Sequence, residues 1–400
     1  MQNAQTPRSQ TPKFHVYIGD IKPDSVLIAW GTTAGDNTIG RTSPSHGPAV
    51  VKINGRDYPA EKNWLRIGGL APDRDYPYEV WLRENKIGGG AVRTFPAQSR
   101  RLVFLVIGDY GNGDEAQRHI ARAMTEVVEQ RRAAGDPVRF ILTTGDNIYA
   151  NTVFGLPVSQ TGDRDLHWGR KFFDPYAWLL SGVPFYPVLG NHDGNESEAA
   201  GDLGAYLDNF FFAGDNPARF YRFQFGGLVD FFALDTTSNV QPGVDPPGFG
   251  KESKQFQWLL ESLRASKAPW KIAYFHHPPF TGGPRHPPRL YQLQHIVDAL
   301  GEYGVQVVFT GHEHNLQFSL RSKETRGVQY VVTGAAGELR GDDIRRGLTA
   351  SQIASWSNQR HYLMVEIEDR VLRITPLSDV GVRVRDHDGA SVGMPLRIER

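Results

Sequence analysis

RLVFLVIGDYG, residues 101–111, is the stretch on which the fold turns. From Leu102 to Ile107 six apolar residues run without a polar interruption and stop at Gly108-Asp109. So short and β-branched a run is a buried strand that delivers a carboxylate at its C-terminal end. Outward from it the pattern repeats. Ala116, Ile120, Ala123, Val127 and Val128 follow at helical spacing, and VRFILTTGD (138–146) is a second strand with the same Gly-Asp ending. Phe256, Leu259, Leu260 and Leu263 mark another helix, with the strand KIAYFHH (271–277) after it. Leu290, Leu293, Val297 and Leu300 mark one more before VQVVFTGHEH (305–314). Strand and helix alternating in this way predict a layered α/β architecture with ligands bound where strands end. The tail, with YLMVEIE, VLRITPL and PLRIER, is β-rich and is expected to complete the outer sheets.

Upstream the text changes. Between Lys13 and Ala97, short runs such as FHVYI, SVLIAW, AVVKI, WLRI, YEVWL and AVRTF stand between Gly, Pro, Asp and Asn breakers. That spacing predicts a small all-β sandwich. Residues 1–12 are polar and read as a flexible tail. The expected division is a tail at 1–12, a sandwich at 13–97 and an α/β domain at 101–400.

Composition narrows the classes. Four hundred residues suit two domains, and 40% hydrophobic content suffices for a core. Lys+Arg and Asp+Glu balance at 44 each with no basic run, which argues against a general nucleic-acid or membrane-surface binder. The absence of cysteine excludes disulfides, thiolate metal sites and cysteine nucleophiles. No apolar stretch approaches the roughly 20 residues of a membrane span. The start, MQNAQTPRSQTPKF, has no run to serve as a signal peptide, so the reading is a cytoplasmic protein or one whose signal was removed.

Five segments carry the chemistry: GDYG (108–111), GDNIY (145–149), GNHD (190–193), FHHPPF (275–280) and GHEH (311–314). Each follows an apolar strand or sits in the loop after it, and each offers oxygen or imidazole donors. They are far apart in sequence, yet successive strand ends of an α/β sheet converge at one edge, so the five tips can meet. Carboxylate, imidazole and amide oxygen without sulfur suit iron, zinc or manganese. A carboxylate can bridge two such ions, as two-metal hydrolytic sites require.

Taken together, GDxG, GDxxY, GNHD, a strand-end His before Pro, and GHxH resemble the signature of the purple acid phosphatases within the calcineurin-like metallophosphoesterases. GDNIY and GHEHNLQ look especially like the small animal-type, tartrate-resistant enzymes. DSVLIAW, LAPDRDYPYEV and RTFPA resemble the fibronectin type III module, with Trp30 as core tryptophan and Leu70, Tyr76 and Tyr78 at the corner before the penultimate strand. The fold this implies is a fibronectin III-like sandwich followed by a four-layer α/β metallophosphoesterase domain, two β-sheets flanked by helices. By resemblance, Asp109, Asp146, Tyr149 and His314 hold a ferric ion. Asp146 bridges, and with Asn191, His276 and His312 it holds a second ion, Fe, Zn or Mn. Most calcineurin-like enzymes have Asp-x-His in the first segment. Here Gly111 replaces that histidine and Tyr149 makes good the lost ligand, its phenolate stabilising a trivalent ion and absorbing visible light.

His277 is read as a neighbour of the ligand His276. His192 matches a family histidine that contacts phosphate beside Asn191 and protonates the leaving group, and His286 falls near another substrate-side histidine. The implied activity is metal-dependent hydrolysis of phosphate monoesters. A phosphodiesterase or nucleotide pyrophosphatase on the same site is the alternative, because substrate choice lies in loops 150–174, 194–216 and 236–255. A non-catalytic surface-binding protein is the third reading, opposed by the presence of all seven ligand positions. Partners implied are a small phosphoester, no nucleic acid, and a surface partner or second subunit for the front domain. The family resemblance favours a secreted or periplasmic location if a signal was removed. Several residues have blander readings: His119 and His295 as helix residues, His167 and Trp168 as loop residues, Asp235 as a strand-end cap or site neighbour, and Arg285 and Arg289 as solvated arginines. TGAAGE (333–338) reads as a tight turn near the site.

Overall fold

The computed structural model describes residues 13–33, 39–150, 152–153, 156–157, 167–194, 196, 203–240, 245–344 and 349–400. The tail 1–12 and parts of the three loops expected to choose substrate lie outside them.

Two antiparallel sheets open the chain. Phe14–Ile21, Val26–Thr32 and Trp64–Ile67 form a sheet of three strands. Arg56–Ala60, Ala49–Ile53, Asp75–Leu82 and Asn85–Arg93 form one of four. Their alternating apolar residues meet in a sandwich-like core in which Trp30, Val51 and Val80 are fully buried. Tyr76 turns its hydroxyl back to accept the N–H of Ala71 at 2.8 Å, which pins the corner before its strand. Tyr78, in contrast, reaches out and donates to the carbonyl of Ser181 at 2.8 Å.

From Arg101 onward two larger sheets stack. One runs in the order Phe185–Pro187, Ile141–Thr143, Arg101–Ile107, Tyr362–Glu368, Val371–Leu377, Leu396–Glu399. Its first three strands are parallel. The other has seven strands, with Val229–Ala233, Trp270–Tyr274, Val307–Thr310 and Gln329–Thr333 as a parallel centre. The facing surfaces interlock through aromatic rings: Phe104 meets Phe231 and Phe309 edge-on with centroids 5.4 and 6.3 Å apart. Helices Lys254–Ala265 and Leu290–Glu302 bury Leu259, Leu263, Leu293, Val297 and Leu300 in a second core with Phe232, Ala273 and Val308 of the seven-stranded sheet. Helix Glu115–Ala133 is capped by Asp114, which accepts from the N–H of Gln117 at 2.8 Å. It lies beside the six-stranded sheet, where Tyr362 donates to the carbonyl of Ala123 at 3.1 Å. Helix, sheet, sheet, helix is the predicted layering.

The β-rich tail completes the six-stranded sheet: Tyr362–Glu368 pairs directly with Arg101–Ile107, Leu363 opposite Val106, and Val371–Leu377 and Leu396–Glu399 follow outward from it. With its centre apolar and buried, Tyr362–Glu368 takes the antiparallel side of the run that ends in Asp109. Among the described residues no helix is long and apolar enough to cross a membrane.

Candidate metal centre

The parallel strands of both sheets deliver their C-terminal ends to one place. Arg101–Ile107 leads to Asp109, Ile141–Thr143 to Asp146 and Phe185–Pro187 to Asn191, while Trp270–Tyr274 leads to His276 and Val307–Thr310 to His312. Backbone bonds tie the tips together. The N–H of Asp109 donates to Gly145 at 3.1 Å, and that of Gly311 to His276 at 3.0 Å. The N–H of His312 donates to both carboxylate oxygens of Asp109, at 3.0 and 3.1 Å. Asp109, Asp146 and His312 hold φ angles of 55°, 48° and 69°, left-handed conformations costly for residues with a side chain and concentrated at functional sites. Glycines at the loop tips make the close approach possible. A Cβ on Gly190 would stand 2.1 Å from the nitrogen of Asp146, and one on Gly311 2.4 Å from Oδ2 of Asp109.

Two donor sets share one oxygen. The Tyr149 hydroxyl lies 3.3 Å from Asp109 Oδ1, 3.2 Å from Asp146 Oδ2 and 3.2 Å from His314 Nε2. Asn191 Oδ1 lies 2.9 Å from both His276 Nε2 and His312 Nδ1. His276 Nε2 is 3.4 Å from the same Asp146 Oδ2, while Asp146 Oδ1 accepts the N–H of His192 at 2.8 Å. Ligands about 2.0–2.2 Å from one ion sit at such mutual distances. The field also fits a cation. Burial, with the neighbouring Asp146 charge, holds Asp109 well above the usual carboxylate range against the pull of His276. His276 is pushed up to about 10, its burial outweighed by the Asp146 and Asp109 carboxylates. Its Nδ1 lies 2.8 Å from the carbonyl of Thr144, the partner that aims Nε2 inward.

Gly111 explains the tyrosine. A Cβ there would stand 1.9 Å from the carbonyl oxygen of Asn147 and 2.6 Å from Cα of Ile148. The two loops touch, and the N–H of Tyr149 donates to the carbonyl of Gly111 at 2.8 Å. No side chain fits at 111, and its place in the cluster is taken by the phenol that the close approach brings in. The buried Lys171 donates to the carbonyl of Tyr149 from behind.

The remaining histidines separate by position. His192 is half-buried, with its ring centroid 4.7 Å from that of Tyr149. The half-buried His286 ring lies with its centroid 4.0 Å from that of His312, and burial followed by the Arg340 charge lowers it to about 4. His277 is buried with Nδ1 3.1 Å from the Thr236 hydroxyl, and it forms with His276 and His312 a second group of close-set nitrogens. His119 is paired with Asp379 and Glu115 at the surface, and His295 contacts the carbonyl of Phe249. His167 is exposed and Trp168 is core. Asp235 caps its strand end by accepting from the N–H of Thr237 at 2.8 Å and pairs with Arg219. Arg285 is exposed and Arg289 half-buried. The turn 333–338 lies against the first loop, the N–H groups of Gly337 and Glu338 both donating to the carbonyl of Asp109.

The sequence left illegible the support behind the two donor sets. Asp193 accepts from the N–H of Gly190 at 2.7 Å and from the N–H and side-chain amide of Asn147 at 2.9 and 2.8 Å. Asn147 also donates to the carbonyl of Val188 at 2.9 Å, locking the second and third loops together. Both residues stand inside motifs already singled out, GDNIY and GNHD, and their non-ligand positions were the available signal.

Comparison with known proteins agrees with this geometry. Residues 102–316 match the calcineurin-like phosphoesterase family. The chain is 30% identical over 261 residues to the Rattus norvegicus tartrate-resistant acid phosphatase type 5, covering 60% of this chain and 74% of that protein. It is 29% identical over 275 residues to Arabidopsis thaliana purple acid phosphatase 17, covering 64% and 75%. In fold it resembles the purple acid phosphatase PPD1 of yellow lupin (Lupinus luteus), with a TM-score of 0.67 at 15% identity, over 97% of this chain and 74% of that one. It also resembles PhoD, with a TM-score of 0.64 at 15% identity, over 98% and 94%. The chain therefore belongs to the calcineurin-like phosphoesterases, as a relative of the purple acid phosphatases, and is a metal-dependent phosphoester hydrolase with a dinuclear centre.

Proposed function

We propose that this enzyme hydrolyses phosphate monoesters, with Asp109, Asp146, Tyr149 and His314 holding a ferric ion and Asp146, Asn191, His276 and His312 a divalent one. The observation that carries the reading is Asp146 Oδ2, within 3.2 Å of the Tyr149 hydroxyl and 3.4 Å of His276 Nε2, one oxygen common to both donor sets. When bound, such an ion pair activates water and spreads the negative charge that builds on the phosphoryl group. The protein supplies the rest. Asn191 and His192, adjacent on one short turn, flank the phosphoryl group on one side, and His286, its ring tilted against that of His312, lines the other. As the bond from phosphorus to the ester oxygen breaks, the departing oxygen takes a proton from the His192 ring. Buried side chains around the cluster keep these groups in place before substrate arrives, which lowers the reorganisation the reaction requires.

The test is metal analysis of purified protein with its visible spectrum, beside turnover of an aryl monoester and an aryl diester. Two ions per chain, a visible band and faster monoester turnover are expected. Tyr149→Phe should lose the band and release ferric iron more readily; an unchanged spectrum would remove the tyrosine from the ferric site. Preferential diester turnover would overturn the monoester assignment.

A further inference from the structure

GHEHNLQ, residues 311–317, does two jobs with alternate side chains. His312 and His314 belong to the donor sets. Glu313, Asn315 and Gln317 are fully buried, and each is bonded to the segment that carries His286. Gln317 accepts the N–H of Gly282 at 2.7 Å and donates to the carbonyl of Gly283 at 2.9 Å. Asn315 donates to that same carbonyl at 3.0 Å, and Gln317 braces Asn315 Oδ1 at 2.7 Å. Glu313 completes the rail: its Oε2 accepts the N–H of Arg285 at 3.1 Å and of His286 at 2.7 Å. Its other oxygen faces Arg340 Nη1 at 3.7 Å. A buried carboxylate where two backbone donors converge makes the stronger, charge-assisted kind of hydrogen bond. An apolar side chain there would leave both amides without their acceptor.

The geometry points to Glu313 as a positioning residue: through the amides of Arg285 and His286 it holds the His286 ring beside His312, where that ring touches the phosphoryl group. This rests on the substrate-side role proposed for His286. Glu313 itself reaches no substrate and joins neither donor set. The glutamate between two metal-directed histidines thus faces away from them and fixes the opposite wall of the site.

The experiment compares wild type, Glu313→Ala, Glu313→Gln, His286→Ala and the Glu313→Ala/His286→Ala double variant, all with metal content measured. Hydrogen exchange over residues 281–289, affinity for inorganic phosphate and kcat and KM on an aryl phosphate are read for each. In Glu313→Ala, exchange at Arg285 and His286 should rise while both metals stay. The kcat/KM should fall about tenfold to a hundredfold, the loss expected when a site group is displaced. The double variant should be no more than about threefold worse than the poorer single one, because the two residues act as a unit. Glu313→Gln keeps a carbonyl acceptor and should recover to within about fivefold of wild type. Loss of metal in Glu313→Ala, unchanged exchange, or losses in the double variant that multiply would each overturn the assignment. Wild type that turns over no monoester would sink the proposed function instead, while exchange and phosphate affinity would still decide the tether.

Discussion

At Gly111 a missing side chain acts as a distance. The carbonyl of Asn147 occupies the space a Cβ would need, and the N–H of Tyr149 is bonded to the glycine's own carbonyl, so a substitution at 111 should displace the Tyr149 phenol. Gly111→Ala is expected to cost about 1–3 kcal/mol as an overpacking change. It should also weaken any visible band, because the loop that carries Tyr149 must retreat. Denaturant unfolding and the spectrum of the same sample check both, and wild-type values in either would show that the loops yield. His192 presents the opposite case, near the cluster but outside both donor sets. His192→Ala should lower kcat by about 10²–10⁴, the usual contribution of general acid catalysis, with metal content unchanged. Loss of both metals in that variant would make His192 a structural residue.

Elements carried the message at some levels and not at others. The apolar spacing from Ala116 to Val128 marked a helix, and the helix Glu115–Ala133 is there. Gly-Asp after VRFIL marked a strand end that delivers Asp146, and it does, although the regular strand is only Ile141–Thr143. Strand order was illegible, because periodicity says which face of a strand is buried and nothing about its neighbour. Hence the pairing of Tyr362–Glu368 with Arg101–Ile107 came only from the structure. Nor does a residue type announce a left-handed backbone, so the shared strain of Asp109, Asp146 and His312 came only from the structure. Asn147, Asp193 and Glu313 stand inside the motifs with no role legible there, since a motif fixes spacing and leaves direction open. Where the two sheets meet, the buried Phe104 contacts rings from both of them. Phe104→Ala should therefore cost about 3–5 kcal/mol in equilibrium unfolding. A cost below about 1 kcal/mol would mean that the sheets collapse into the space left.

For the whole molecule, acid sensitivity has a source away from the metal centre. His361 is fully buried, its nitrogens 2.9 Å from the carbonyl of Gln359 and 3.1 Å from the Thr333 hydroxyl, and burial lowers it to about 4. An unfolded chain protonates this ring near 6.5. Between about 6.5 and 4 the unfolded state therefore binds a proton that the folded state refuses, and stability falls as pH falls. The slope is up to about 1.4 kcal/mol per pH unit from this ring, and it vanishes above that window. His361→Gln should flatten the slope in unfolding measured across pH 4 to 7. An unchanged slope would assign the acid sensitivity to other groups.

The front sandwich also reaches into the catalytic half. Tyr186 sits on the strand that leads to Asn191, yet its hydroxyl donates to Asp20 at 2.8 Å and accepts from the N–H of Ile21 at 3.3 Å. Arg66 closes on the same aspartate at 2.8 Å. A chain starting at Arg101 would keep the buried Tyr186 hydroxyl and lose the carboxylate it donates to, so the two parts are fastened by a polar contact that neither satisfies alone.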